Sequence, residues 1–240
     1  MRIKDLTLVR SRAEMAGWPE GKFLIDTVNA HSFVVAQQDA AFAEALLSAG
    51  ALLPDGISIV KACRWTDKEN APDEKIAGAD LFAYEMGKLE ERGGVCFFLG
   101  SSPETLARLE EKVADTYPHI RVITYSPPYK PVFTAEESRA MVDAVNAARP
   151  DLLWVGMTAP KQEKWLHEHW AELDIHGHAG AIGAVFDFFA GTVKRAPQGW
   201  IDLGLEWLYR LIQEPRRTWR RYLIDNPRFL WLVLKEKLSE

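Results

Sequence analysis

The sequence predicts an α/β protein in three layers, with helices on both sides of a mainly parallel sheet. Three observations predict it. Apolar runs of strand length carry no polar alternation, as strands buried on both faces require. Each run is followed by a segment of helical period, the pattern of a sheet packed between helices. From about residue 200 that alternation stops, and a helical, basic and aromatic stretch takes over. The expectation is a Rossmann-like α/β/α sandwich over residues 1–199, with a C-terminal helical, membrane-proximal appendage over residues 200–240.

The elements follow in order. "KFLIDTV" (22–28) reads as a strand and residues 33–47 as a helix. "ALL" (51–53) is strand-like and runs into a Pro54-Asp55-Gly56 turn. "VCFFLGS" (95–101) is a strand, and residues 103–117 form a helix with Leu106, Leu109 and Val113 on one face. "IRVITYS" (120–126) is a strand. Residues 134–148 form a helix whose Thr134 and Glu137 have the spacing of a capping box. "PDLLWVG" (150–156) is a strand, and residues 160–170 form a helix with proline in its first turn. The apolar run "IHGHAGAIGAVF" (175–186) closes the pattern.

Composition narrows the class. The 240 residues are 48% hydrophobic, enough for one large core, and net charge is −5. That charge is uneven: residues 191–240 hold 10 Lys+Arg against 6 Asp+Glu, a net of +4, which leaves −9 on the rest. An acidic body argues against nucleic-acid binding, and a basic, aromatic tail points to an anionic partner. The charged start "MRIKDLTLVRSR" does not read as a secretory signal, and no 18-residue apolar stretch is present to span a membrane. Cys63 and Cys96 stand in apolar surroundings and read as buried thiols of a reducing compartment.

Parallel sheets bind ligands beyond the carboxyl ends of their strands, and the unusual residues lie there. Asp55 sits between the residue that most restricts the backbone and the one that most frees it. It is either a rigidly mounted carboxylate or a turn aspartate bonded to its own backbone. Thr27 and Asn29 end the first strand; together they suit a sugar or ribose, or they cap the next helix. In "VGMTAPKQEKW" (155–165), Lys161 and Gln162 open a helix whose N-terminus favours anions, unless they are ordinary solvated side chains. His176 and His178 alternate along a strand with no third metal ligand in view. Asp187, inside an apolar run, needs a partner, with Lys194 and Arg195 as candidates. Arg210, Arg216, Arg217, Arg220 and Arg221 interleave with aromatics, as at a phospholipid interface. Neither GxGxxG nor GxxxxGK[ST] is present, which disfavours a nicotinamide enzyme and a P-loop. No Asp-x-Asp occurs.

Taken in order, "TVNA", "LLPDGISIVKA", "KIAGADL", "VGMTAPKQEKW", "GAVFDFFAGTVKRAP" and "GLEWLYRLIQEPRRTWRRYL" resemble the WecG/TagA/CpsF family of glycosyltransferases over residues 22–227. The resemblance implies metal-independent, inverting transfer of an N-acetylmannosamine-type sugar. The donor would be a UDP-sugar and the acceptor a polyprenyl-diphosphate-linked N-acetylglucosamine, at the inner face of the cytoplasmic membrane in cell-surface polysaccharide synthesis. It implies no cofactor and no metal site. By the same resemblance Asp55 is the general base, and Thr27, Asn29 and Gln162 are pocket residues. Arg210, Arg217 and Arg220 hold the donor's diphosphate. Lys75 takes the place of a common arginine, keeping the charge without the fork, and Thr158 that of a frequent glycine. Another UDP-sugar, glucose or N-acetylmannosaminuronic acid, is an alternative donor. A non-catalytic nucleotide-binding membrane adaptor is the alternative class. The sequence leaves a homo-oligomer open.

Overall fold

The computed structural model of the chain describes residues 1–194 and 196–239. Strand β1 (Phe23–Val28) leads through α1 (Ala30–Ala36) and α2 (Ala40–Ser48) to β2 (Ala51–Pro54). Helices α3 (Ile57–Thr66) and α4 (Gly78–Arg92) carry the chain to β3 (Gly94–Gly100) and α5 (Pro103–Thr116). Then come β4 (Ile120–Tyr125), α6 (Ala135–Ala148), β5 (Leu152–Gly156), α7 (Lys161–His169), β6 (His178–Ala181) and α8 (Ala184–Ala190). Helices α9 (Gln198–Asp202), α10 (Glu206–Gln213) and α11 (Pro215–Trp219), a π-helical turn (Arg220–Asp225) and α12 (Asn226–Leu238) follow.

The six strands form one sheet in the order β2-β1-β6-β5-β3-β4, and every pairing is parallel. Side chains alternate across it. Cys96 and Phe98 enter the layer built by α4, α5 and α8, while Phe97 and Leu99 enter the opposite layer with α6 and α7. Around β1 and β2 that second layer is made by α1, α2, α3 and α12, packed on Val28 and Leu52. Trp154 is fully buried in the first layer. An added Cβ at Gly180 of the adjacent strand would stand 2.7 Å from its ring, so glycine there is a steric requirement.

The structure refines the expected elements at three places. The helix expected over 33–47 is two helices, because Asp39 accepts the Phe42 N–H at 3.0 Å and starts α2 afresh. The run 175–186 that closes the expected pattern divides: β6 ends at Ala181, and a tight turn at Gly183 opens α8. Helices α3 and α4 have no counterpart in the expected elements; α3 begins where Gly56, at φ +120°, turns the chain out of β2.

The C-terminal helix is seated in the core. Phe229 and Val233 of α12 are 2% exposed and join the cluster that holds Phe33. The rings of Phe33 and Phe229 meet edge to face, 5.5 Å apart. Glu236 reaches back to accept the N–H groups of Ile3 and Lys4 at 2.8 and 3.1 Å. The seat predicts that Phe229→Ala costs about 3–5 kcal/mol, the transfer and cavity terms of a buried aromatic. Denaturant unfolding checks this: a lower midpoint is expected at unchanged slope, and an unchanged midpoint refutes it.

Candidate active site

A cleft of about 1010 Å³ opens beyond the carboxyl ends of the strands. All six deliver to it: Thr27 from β1, Asp55 just past β2, and Ser101, Ser126, Met157 and Ile182 past the others. This is where a parallel sheet leaves backbone groups and side chains free for a ligand.

Asp55 owes its place to pairing. Val28 stands opposite Pro54, and the Asp55 N–H donates to the Val28 carbonyl at 2.9 Å, which continues the ladder one residue past the strand. Asn29 therefore leaves the sheet beside Asp55, and its Nδ2 donates to Asp55 Oδ2 at 3.4 Å. The same Asn29 accepts the Ser32 N–H on Oδ1 at 3.1 Å and caps α1. Of the two readings of Asn29, the cap is the one observed, and the other end of the carboxamide is turned to Asp55. Thr27 lines the cleft one register step below. Burial pushes the Asp55 carboxyl above its ordinary value. The Arg221 charge opposes this most, then the Asn29 hydrogen bond, while Glu206 adds to the rise and Arg210 counters it.

The far wall comes from the C-terminal segment. Arg210, Arg217, Arg220 and Arg221 all line the cleft. The Arg210 guanidinium lies over the Phe188 ring at 5.2 Å, and its buried Nε has no hydrogen-bond partner. Arg217 Nη1 is 3.0 Å from Glu214 and 3.7 Å from Asp187. The charge partner of Asp187 is thus Arg217, not the nearby Lys194; Arg195 lies outside the described residues. The tail reaches back to Asp187 in space, a pairing that sequence proximity does not suggest. Burial raises the Asp187 carboxyl, and Arg217 pulls it back most strongly.

Two further expected residues take distinct places. Gln162 lines the cleft, but its carboxamide is engaged: Oε1 accepts the N–H groups of Met157 and Thr158, both at 3.1 Å, and Nε2 donates to Glu163 at 2.9 Å. It shapes the turn after β5. Thr158 in that turn has φ +73°, a left-handed conformation that suits glycine and strains a β-branched residue. Lys75 stands behind the wall, with Nζ 3.9 Å from Glu206 Oε2, and Glu206 faces the cleft.

The histidines separate. His178 is a buried strut bonded to Glu85 and to the Pro19 carbonyl, each at 2.9 Å, while His176 is exposed. Among the described residues no three His, Cys, Asp or Glu side chains converge as a metal-binding group. Both cysteines are buried and free.

Sequence reading did not single out four residues in or beside the cleft. Arg221 was visible among the tail arginines, but no spacing sets it above Arg220. His31 lines the cleft and meets Asp225 at 2.6 Å across 194 positions, a separation no motif spans. Asp26 and Glu163 are buried acids beside the expected Thr27 and Gln162. Their signal was present, a carboxylate inside an apolar strand and another in the turn of an apolar-faced helix. Chemically, the arrangement sets a carboxylate of raised proton affinity facing several guanidinium groups. It can take a proton from a hydroxyl while a phosphate-bearing group is held opposite.

Comparison with known proteins gives the family. The family model described as "Glycosyl transferase WecG/TagA/CpsF family" matches residues 1–240. A Bacillus spizizenii (strain W23) protein named N-acetylglucosaminyldiphosphoundecaprenol N-acetyl-beta-D-mannosaminyltransferase is 33% identical over 218 residues, covering 91% of this chain and 80% of that protein. A protein of the same name from Bacillus subtilis (strain 168) is 33% identical over 217 residues, 90% of this chain and 81% of the relative. On the match over its whole length and the two relatives, this chain belongs to the WecG/TagA/CpsF family and is a glycosyltransferase.

Proposed function

We propose that the chain transfers an N-acetylmannosamine-type sugar from a UDP donor to a polyprenyl-diphosphate-linked N-acetylglucosamine, inverting the anomeric centre in one displacement. The observation that carries this reading is Asp55 on the cleft floor, of raised proton affinity, facing the tail arginines. In this mechanism Asp55 removes the proton of the acceptor hydroxyl as that oxygen attacks the anomeric carbon. The bond from that carbon to the UDP oxygen breaks, and Arg210, Arg217 and Arg220 take up the charge developing on the diphosphate. Arginine forks supply what a divalent cation supplies elsewhere, so the reading includes no metal. Thr27 and Asn29 border the sugar, Gln162 fixes the turn beside it, and Lys75 holds Glu206 in the wall.

The membrane belongs to the same proposal. No helix among the described residues is long and apolar enough to cross a bilayer. The segment beyond residue 200 nonetheless leaves Leu223, Leu230 and Trp231 exposed, with Arg216, Arg220 and Arg228 also exposed on the segment. Apolar and cationic side chains together suit the interface of an anionic leaflet. We assign this segment to peripheral contact with the inner face of the cytoplasmic membrane, which brings the cleft to a lipid-linked acceptor.

Three outcomes are expected. Asp55→Asn keeps the fold and lowers turnover by roughly 10²–10⁴-fold, measured as transfer from UDP-N-acetylmannosamine to a short-chain acceptor. Near-normal turnover in the folded variant removes Asp55 from the role. Arg210→Lys, which keeps the charge and loses the fork, lowers kcat/KM by about ten- to a hundredfold, the scale of a charge-assisted phosphate contact worth about 1.5–3 kcal/mol. Transfer survives EDTA; activity abolished by chelation and restored by Mg²⁺ or Mn²⁺ refutes the metal-free mechanism.

A further inference from the structure

The tail crosses the rim of the sheet, and its arginines divide between the two layers. Arg210 lies over Phe188 and Arg217 faces Asp187, both on α8, which packs in the layer of α4 and α5. Further along the tail, Asp225 Oδ2 meets Nδ1 of His31 at 2.6 Å, and α1, which carries His31, packs with α12 in the opposite layer. Arg221 stands about one turn before Asp225 in the π-helical segment; it is half-buried and lines the cleft. Among the described residues it makes no hydrogen bond and no ion pair, and its guanidinium rests 5.7 Å from the Tyr222 ring.

His31 lines the cleft too, two positions after the Asn29 that bonds Asp55, while Asp225 stands behind it, outside the lining. A carboxylate only accepts, so Nδ1 carries the hydrogen, and Nε2 of the neutral ring is left as an acceptor. Burial lowers the proton affinity of the imidazole most, and Arg221 lowers it further against the opposing pull of Asp225. The ring is thus held in one tautomer with Nε2 unpartnered among the described residues. In the transfer reading above, the acceptor carries a diphosphate as the donor does. Inversion brings the attacking hydroxyl to the face of the sugar opposite the leaving oxygen. The two diphosphates then lie on opposite sides of the reacting carbon, and Arg210 and Arg217 serve the α8 side. On the α1 side, Arg221 is a cation with no carboxylate of its own, and among the charges acting on Asp55 its effect is the largest. The exposed Leu223, Leu230 and Trp231 flank that stretch of the tail, where a lipid chain would leave.

Resting on that reading, we infer that Arg221 and His31 form the seat of the acceptor. The Arg221 fork takes oxygens of the lipid-linked diphosphate. His31 Nε2 accepts a hydroxyl of the sugar attached to it. Both are binding residues, and Asp225 is a positioning residue that fixes the tautomer and the orientation of the ring.

Calorimetric titration of the full chain tests the seat without turnover. The ligands are UDP, a short-chain prenyl diphosphate, and the same lipid carrying N-acetylglucosamine. Arg221→Gln should bind both prenyl ligands about ten- to a hundredfold more weakly and UDP as the wild type does. His31→Ala and Asp225→Ala should bind the glycosylated ligand about three- to tenfold more weakly, with the bare prenyl diphosphate and UDP unchanged. Asp225→Asn, whose carbonyl still accepts from Nδ1, should restore most of that loss. Weakened UDP binding by Arg221→Gln with the prenyl ligands unaffected puts Arg221 in the donor seat and overturns the assignment. A fall in UDP binding by His31→Ala shows a latch that holds the tail against the body, and overturns the role of His31 in the seat. A wild type that binds neither prenyl ligand overturns the seat as a whole. A wild type that binds the glycosylated ligand but moves no sugar to it counts against the transfer reading alone, and the titrations still decide the seat.

Discussion

The parallel pairing of β1 with β2 is the constraint on which the site depends. It sets Val28 against Pro54, so both chains leave the sheet at the same level and on the same rim. Asn29 and Asp55 meet because neither strand runs past the other. A slip of one residue would turn Thr27 to the opposite face and put Asp26 into the cleft. The register is held by burial on both sides: Leu53 enters one layer and Leu52 the other, and neither can be exchanged for a polar neighbour. The geometry of the candidate site is a by-product of core packing at the edge of the sheet.

The charge asymmetry of the chain acquires a spatial meaning in this arrangement. The acidic body presents Asp55 and Asp187 to the cleft, and the basic tail closes over them with four guanidinium groups and Glu206. Each side moderates the other: the arginines hold down carboxyls that burial pushes up, and the carboxyls orient the forks. Thr158 adds a local strain of about 1–3 kcal/mol, sustained by the Gln162 carboxamide on the backbone beneath it. A cleft wall that is costly to hold marks where stability gives way to geometry.

Much of this was legible in the sequence, for identifiable reasons. Doubly buried strands are continuous apolar runs, so β1, β3, β4 and β5 read directly, and the Thr134–Glu137 cap fixed the start of α6. The division of residues 30–48 into α1 and α2 was hidden, because Asp39 interrupts a helical period without ending it. Asp55, Asn29 and Gln162 announced themselves by standing just past strands. What could not be read was pairing across distance: His31 with Asp225 and Asp187 with Arg217. Local spacing carries the period of an element, whereas these contacts are created by the order of strands in the sheet and the path of the tail.

The clasp of Glu236 on the backbone of Ile3 and Lys4 gives the molecule a timetable. During synthesis the strands can pair once β6 is made, but Phe33 lacks its ring partner until α12 emerges. An intermediate on the ribosome would carry Asp55 over a half-built cleft with its apolar seat open. Completion of the last helix is therefore the closing of the core, and a chain cut short within α12 would leave the seat of Phe33 open.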